Sequence, residues 1–372
     1  MTAKKRKAPS SGRAALLGLS LLLAAGLYAL FFPQSDFSTW ERRYLSSAPS
    51  APSVADWRLD SEVEAYLSDR VPLRHILVNV DSSVQALTGR RTQLGAWPAA
   101  GALVEEPLTV SLNSLERRLK QFGALAEEAG CAWSLIVPPT HGYLLRERME
   151  PLLSALYERE TPVYEALSAE PAYLPLNSLF AVAGDDVYYQ TDHHWTLKGA
   201  YLAYSAFCAE AGRTPLTLAA FRASEYGGFR GTTWSRSGLP WPLTDTLRGA
   251  EPDGGVTLTI SDSGEVYDHL LFPEQAGGWD GYALYLNGNH GTLTIENPAA
   301  PEGTLLVFKD SFANCLLPLL SGSWRTVIAV DARYEGRSFR QVISEAGQVD
   351  RLLFVYSADS VMNDTVVARK AR

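Results

Sequence analysis

A regular alternation between residues 304 and 357 constrains the fold more than any other feature. Five segments follow one another there: TLLVF (304–308), FANCLLPLLS (312–321), TVIAV (326–330), SFRQVISEAG (338–347) and RLLFVYS (351–357). The first, third and fifth are short apolar runs, as strands buried on both faces are. The two between them have helical length. Strands joined by crossover helices give a parallel sheet covered on both sides. The expected fold class is therefore α/β: a three-layer α/β/α architecture with a mostly parallel sheet.

The alternation begins earlier. SLERRLKQFGALAEEAG (114–130) predicts an amphipathic helix, and CAWSLIVPP (131–139) a buried strand ended by two prolines. Residues 150–168 read as helical, AYLPL (172–176) as a short strand, and TLKGAYLAYSAFCAEAG (196–212) as a strong helix. Residues 222–300 differ. They are rich in Gly, Trp, Tyr and Thr with short alternating stretches such as GVTLTI, and predict an irregular β-rich insertion. Residues 61–90 carry helical periodicity, and 33–60, with SSAPSAPS, read as a linker or stalk. The folded body is expected over 61–372.

The N-terminus has a separate role. Residues 14–32 contain no charge, and Lys4, Lys5, Arg6, Lys7 and Arg13 precede them. A helix of that length reaches about 28 Å, close to the hydrocarbon thickness of a bilayer. Positive charges stay on the cytoplasmic side, so 1–13 is expected as a cytoplasmic tail, 14–32 as a single-pass anchor and the remainder as extracytoplasmic. A cleaved signal peptide is the competing reading, and it places the body on the same side.

The net charge of −8 has an uneven distribution, since no acidic residue appears before Asp36. An acidic body without clustered Lys and Arg excludes a nucleic-acid partner. Cys131, Cys208 and Cys315 match no zinc spacing and read as buried thiols. His75, His141, His269 and His290 are scattered, so no metal and no cofactor is expected.

Active sites of such sheets gather at the carboxyl ends of strands. Two polar loops meet that rule. Lys309-Asp310-Ser311 follows TLLVF, and Asp192-His193-His194-Trp195 precedes the helix near Thr196. A serine hydroxyl is a weak nucleophile that needs a base and oxyanion donors. An imidazole base needs a carboxylate on its other nitrogen, which a short Asp-x-His spacing supplies. Each loop also has a plain structural reading, because Asp, Ser and Thr cap helices. His141, after Pro138-Pro139-Thr140, also follows a strand and is a candidate site-edge residue.

Asp192-His193-His194-Trp195 resembles the signature of the bacterial DHHW protein family, which is similar to alginate O-acetyltransferases of the AlgJ and AlgX type. Further segments resemble family elements in the same order: Ser68-Asp69-Arg70-Val71-Pro72-Leu73-Arg74, Phe229-Arg230-Gly231-Thr232, Asn287-Gly288-Asn289-His290, Lys309 to Asn314, and Asp331-Ala332-Arg333-Tyr334. The resemblance implies an SGNH-hydrolase-like (flavodoxin-like) fold with a permuted motif order, Asp and His before Ser. It implies Ser311 as nucleophile, His194 as base and Asp192 as the orienting acid. Gly288 and Asn289 are oxyanion candidates, and Arg333, Tyr334, His193 and Trp195 are candidate site-lining residues. The implied activity is O-acetyl transfer to a cell-envelope or exported polysaccharide through an acetyl-serine, beside a membrane-bound acyl-delivery partner of the MBOAT class. A carbohydrate acetylesterase with the same triad and a non-catalytic glycan-binding protein are the alternatives.

Overall fold

The computed structural model describes residues 11–31, 35–49, 58–92 and 94–372. The basic stretch Lys4–Lys7 and residues 50–57 of the expected linker lie outside them. The chain divides into two compact units, residues 1–93 with 238–240 and residues 94–237 with 241–372.

In the first unit a 21-residue helix, Ser11–Phe31, presents Leu16, Leu17, Leu19, Leu21 and Leu23 to the outside. Among the described residues, no helix is long and apolar enough to cross a membrane. Residues 35–49, expected as stalk, include a small hairpin, Phe37–Ser38 against Arg43–Tyr44. The helical region breaks into Leu59–Asp69 and Arg74–Leu87, with Leu73 in the left-handed region between them. The Ser68–Arg74 motif has a structural role here. Buried Asp69 accepts hydrogen bonds from Arg43 Nη1 (3.0 Å), Ser46 N (2.8 Å) and Ser46 Oγ (2.9 Å), and Arg74 Nε reaches Glu41 at 3.0 Å.

The second unit holds a seven-stranded sheet. In chain order its strands are β1 (Ala132–Ile136), β2 (Thr257–Ile260), β3 (Glu265–Tyr267), β4 (Thr292–Glu296), β5 (Thr304–Lys309), β6 (Thr326–Asp331) and β7 (Arg351–Val355), arranged β1-β7-β5-β6-β4-β2-β3. The first four in that arrangement are parallel, and the other pairings are antiparallel. The sheet is thus mixed rather than mostly parallel. The β-rich region expected at 222–300 joins the central sheet, because β2, β3 and β4 extend it. An alternating strand such as TLTI fits a free-standing ribbon and a sheet edge equally well. Within that region, Phe221–Phe229 and Asp245–Pro252 pair as a ribbon apart from the sheet.

The parallel strands are buried on both faces. Leu305, Val307, Leu353 and Val355 enter one core, while Leu306, Phe308, Leu352 and Phe354 enter the other. Helix Leu197–Glu210 covers the first face with Ala200, Ala203, Tyr204 and Phe207. Helices Leu112–Ala129, Thr161–Ser168, Phe339–Glu345 and Ala358–Asn363 cover the second. In β2 and β4 only Leu258, Ile260, Leu293 and Ile295 enter a core, as antiparallel strands with one solvated face do.

Two local expectations are corrected. FANCLLPLLS is not one helix: a 3-10 turn, Ser311–Cys315, precedes the short helix Leu317–Leu320. Pro318 has no N–H to continue a helix but fits a first turn, so the helix restarts around it. AYLPL contributes a single parallel bridge, Leu135 to Tyr173, not a strand.

Gly199 lets helix Leu197–Glu210 lie directly on the loop before it. A Cβ there would meet Val187 O at 2.5 Å and Trp195 Cβ at 2.9 Å. Gly199→Ala is expected to lower unfolding free energy by about 1–3 kcal/mol, measured by urea denaturation. Unchanged stability would contradict this close approach.

Candidate active site

The four parallel strands deliver four loops to one cavity of about 380 Å³. Pro138, Thr140 and His141 come after β1, Asp310 and Ser311 after β5, Arg333 after β6, and Ser357 and Ser360 after β7. A hairpin, Ala96–Ala99 with Ala102–Glu105, adds Leu103 and Glu105, and helix Thr232–Ser237 adds Arg236. His193 completes the wall beside Ser311.

Ser311 heads its 3-10 turn. Asp310 Oδ1 caps the turn by accepting from Phe312 N (3.0 Å), and Asp310 Oδ2 accepts from Ser357 N (2.7 Å) and Ser360 Oγ (2.9 Å). That carboxylate therefore ties the loops after β5 and β7 together. At the first position of the turn, the Ser311 N–H has no intrahelical acceptor and remains available for an oxyanion.

The Asp192 loop is fixed from several directions. Thr191 N (2.8 Å) and Oγ1 (2.5 Å) donate to Asp245 Oδ2, and Trp234 N donates to Thr191 O (2.8 Å). Asp192 is 1% exposed. Its Oδ1 accepts from His194 N at 2.9 Å and lies 2.6 Å from His194 Nδ1, while Oδ2 accepts from Thr232 N at 2.6 Å. Gly231 makes the last contact possible, since a Cβ there would stand 2.2 Å from Asp192 Cβ. With Nδ1–H donating to Asp192, the lone pair of His194 sits on Nε2. That atom lies 2.9 Å from Ser311 Oγ. The two loops, 117 positions apart, thus form one line: carboxylate, imidazole, hydroxyl.

The imidazole is held between two rings, Tyr282 at 3.9 Å and 8° on one side and His193 at 4.0 Å and 35° on the other. Burial first, and then the positive field of His193, hold the His194 pKa below the usual 6.5; Asp192 opposes them. This direction favours the neutral ring, whose Nε2 can accept a proton. Burial also opposes the charged form of His193, but the carboxylates of Glu105 and Asp192 outweigh it and raise that pKa. Burial likewise works against the Asp192 carboxylate, and the positive fields of His193 and His194 together with the hydrogen bonds from His194 overcome it, so its pKa is lowered.

Asp192, His193 and His194 place possible ligand atoms within 4.8 Å of one another. Both ring nitrogens of His194 and both oxygens of Asp192 are already engaged, so an ion there would dismantle the relay. The donor set fits proton transfer better than metal binding.

The other sequence-derived residues divide. His193, His141 and Arg333 line the cavity. His141 stacks on Tyr188 at 5.0 Å, and burial pushes its pKa down to about 4. Arg333 is fixed by buried Asp331 through Nε (2.9 Å) and Nη2 (2.6 Å). Trp195 is fully buried against Phe180 and Phe312 and supports the loop from below, out of reach of a substrate. Tyr334 is half exposed and does not line the cavity. Gly288 and Asn289 also stand outside its lining; they join the nucleophile block through Asn314, whose Nδ2 donates to Asn289 Oδ1 at 3.0 Å. Asn314 in turn accepts from buried Lys309 Nζ at 2.6 Å, a lysine that burial lowers to about 8. Sequence reasoning missed Tyr282, Glu105 and Arg236, and no local pattern marks them.

No curated protein matches this chain. Among solved structures, a DHHW family protein from Eubacterium siraeum matches with TM-score 0.63 and 18% identity, covering 74% of this chain and 98% of that one. Bacillus cereus PatB1 with a sulfonyl adduct matches with TM-score 0.59 and 20% identity, covering 73% and 96%. The O-acetyltransferase domain of Pseudomonas putida AlgJ matches at TM-score 0.42 and 14% identity, covering 74% and 98%. The first two likenesses concern the fold. The sequence match is separate, and the segment that carries Asp192, His194 and Ser311, residues 177–330, matches the DHHW protein family.

Proposed function

We propose that this protein is an SGNH-type acyltransferase that moves an acetyl group onto a hydroxyl of a cell-envelope or exported polysaccharide through an acetyl-Ser311 intermediate. The observation that carries the reading is the continuous relay from Asp192 through His194 to Ser311, opening into a cavity. His194 Nε2 takes the Ser311 proton as Oγ attacks the acetyl carbonyl. The oxyanion is met by the Ser311 N–H, with the Arg333 guanidinium nearby in the cavity wall. The donor's leaving group departs with the proton from His194. In the second half, His194 takes the proton of the acceptor hydroxyl, whose oxygen attacks the acetyl carbon; the ester bond to Oγ breaks and Ser311 regains a proton. In this reading the uncharged segment 14–32, preceded by Lys4, Lys5, Arg6, Lys7 and Arg13, anchors the chain, keeps this chemistry outside the cytoplasm and holds it beside an MBOAT-type partner that delivers acetyl groups.

Ser311→Ala is expected to lower acetyl release from p-nitrophenyl acetate by roughly 10³-fold or more and to abolish the acetylated Ser311 peptide seen by mass spectrometry. Turnover that survives the substitution would refute the assignment.

The base must be neutral to act, so kcat/KM rises with pH through the His194 pKa, at a midpoint below 6.5. His193→Gln removes a positive neighbour and is expected to move that midpoint upward. A profile that stays in place, or moves down, contradicts the described coupling of the two rings.

A further inference from the structure

The cavity also carries a charge arrangement that the relay does not use. Arg236 Nη1 donates to Glu105 Oε1 at 2.8 Å, and Arg333 is locked onto Asp331. His193 faces Asp192, its Nδ1 buried without a hydrogen-bond partner at 3.6 Å from Asp192 Oδ1 and 3.8 Å from Glu105 Oε1. With each cation set against its carboxylate, Asp310 adds a further carboxylate, hydrogen-bonded by Phe312 N, Ser357 N and Ser360 Oγ and within the field of His193 and Arg333, and Asp359 adds another, hydrogen-bonded by Asn363 Nδ2. The walls around the nucleophile therefore offer no excess positive charge. An incoming carboxylate would lose water and meet like charge, which costs affinity.

The Glu105–Arg236 pair is suited to hydroxyl groups instead. Both side chains line the cavity and are partly exposed, at 33% and 47%. Glu105 Oε2 is left to accept from a hydroxyl, and the remaining guanidinium N–H groups are left to donate to a neighbouring oxygen. The pair is held in place relative to His194, because Leu103 N donates to Gln190 O at 2.8 Å and joins the hairpin to the Asp192 loop.

Resting on the acyltransferase reading, we infer that the acceptor is an uncharged sugar unit, held by Glu105 and Arg236 with its reactive hydroxyl toward His194, and that uronate-type acceptors are excluded. In transfer the acceptor O–H bond breaks toward His194 Nε2, the new ester bond forms to the acetyl carbon, and the Ser311 Oγ–acetyl bond breaks.

The test uses the full chain in detergent with p-nitrophenyl acetate as donor. Acceptor-free acetate release is measured alongside acetylation of an N-acetylated chito-oligosaccharide and an oligouronate of equal length. The expected result is transfer to the neutral oligomer at least about tenfold above the oligouronate, the scale on which unmatched buried polar groups discriminate. Glu105→Gln is expected to lower the ratio of transfer to release by about tenfold, chiefly through acceptor KM. Asp359→Lys is expected to raise relative use of the oligouronate. Equal or better use of the oligouronate, release without transfer to the neutral oligomer, or an unchanged ratio in Glu105→Gln overturns the inference. Loss of the underlying reading has a different signature: release that is absent, or that persists in Ser311→Ala.

Discussion

The carboxylate of Asp192 is the interaction on which the site depends. Burying a carboxylate costs several kcal/mol unless donors replace its water. Here His194 N, the His194 ring and Thr232 N replace it. That requirement explains the constraints around it. Gly231 must be glycine to approach, and Asp245 clamps Thr191 so that the loop cannot drift. The imidazole follows the carboxylate, and Tyr282 and His193 fix its plane. Ser311 needs only to be presented at the end of β5, which the sheet register and the Asp310 cap achieve.

The sheet supplies the rigidity. β5 is flanked by parallel β6 and β7, so the loops that follow all three emerge on one side. Lys309 and Asp331 are register partners at the ends of β5 and β6, fully buried and 3.8 Å apart. Asp331 in turn orients Arg333 toward the cavity. A polar chain beneath the nucleophile thus connects two strands to the cavity wall.

Part of this was legible in the sequence. The positions of β5, β6 and β7 follow from unbroken apolar runs, and Ser311 from its place directly after one of them. Asp192 and His194 follow from their spacing, because two residues in one loop need no long-range contact to meet. The rest depends on distant partners. Tyr282, Glu105 and Arg236 lie in segments whose local sequence gives no reason to point at His194. The alternating β2 and β4 were readable as strands, but not as members of the central sheet. Trp195 belongs to the same four-residue motif as the base, yet its side chain goes into the core; a motif does not say which of its members face solvent.

The most direct measurement is the rate at which an arylsulfonyl fluoride modifies the protein, with the site read by peptide mass spectrometry. If the three groups act as one relay, Ser311 is the serine modified, and Asp192→Asn slows that reaction by roughly 10³-fold or more while the protein stays folded. Modification at another serine, or a Ser311 rate indifferent to Asp192, would contradict the account.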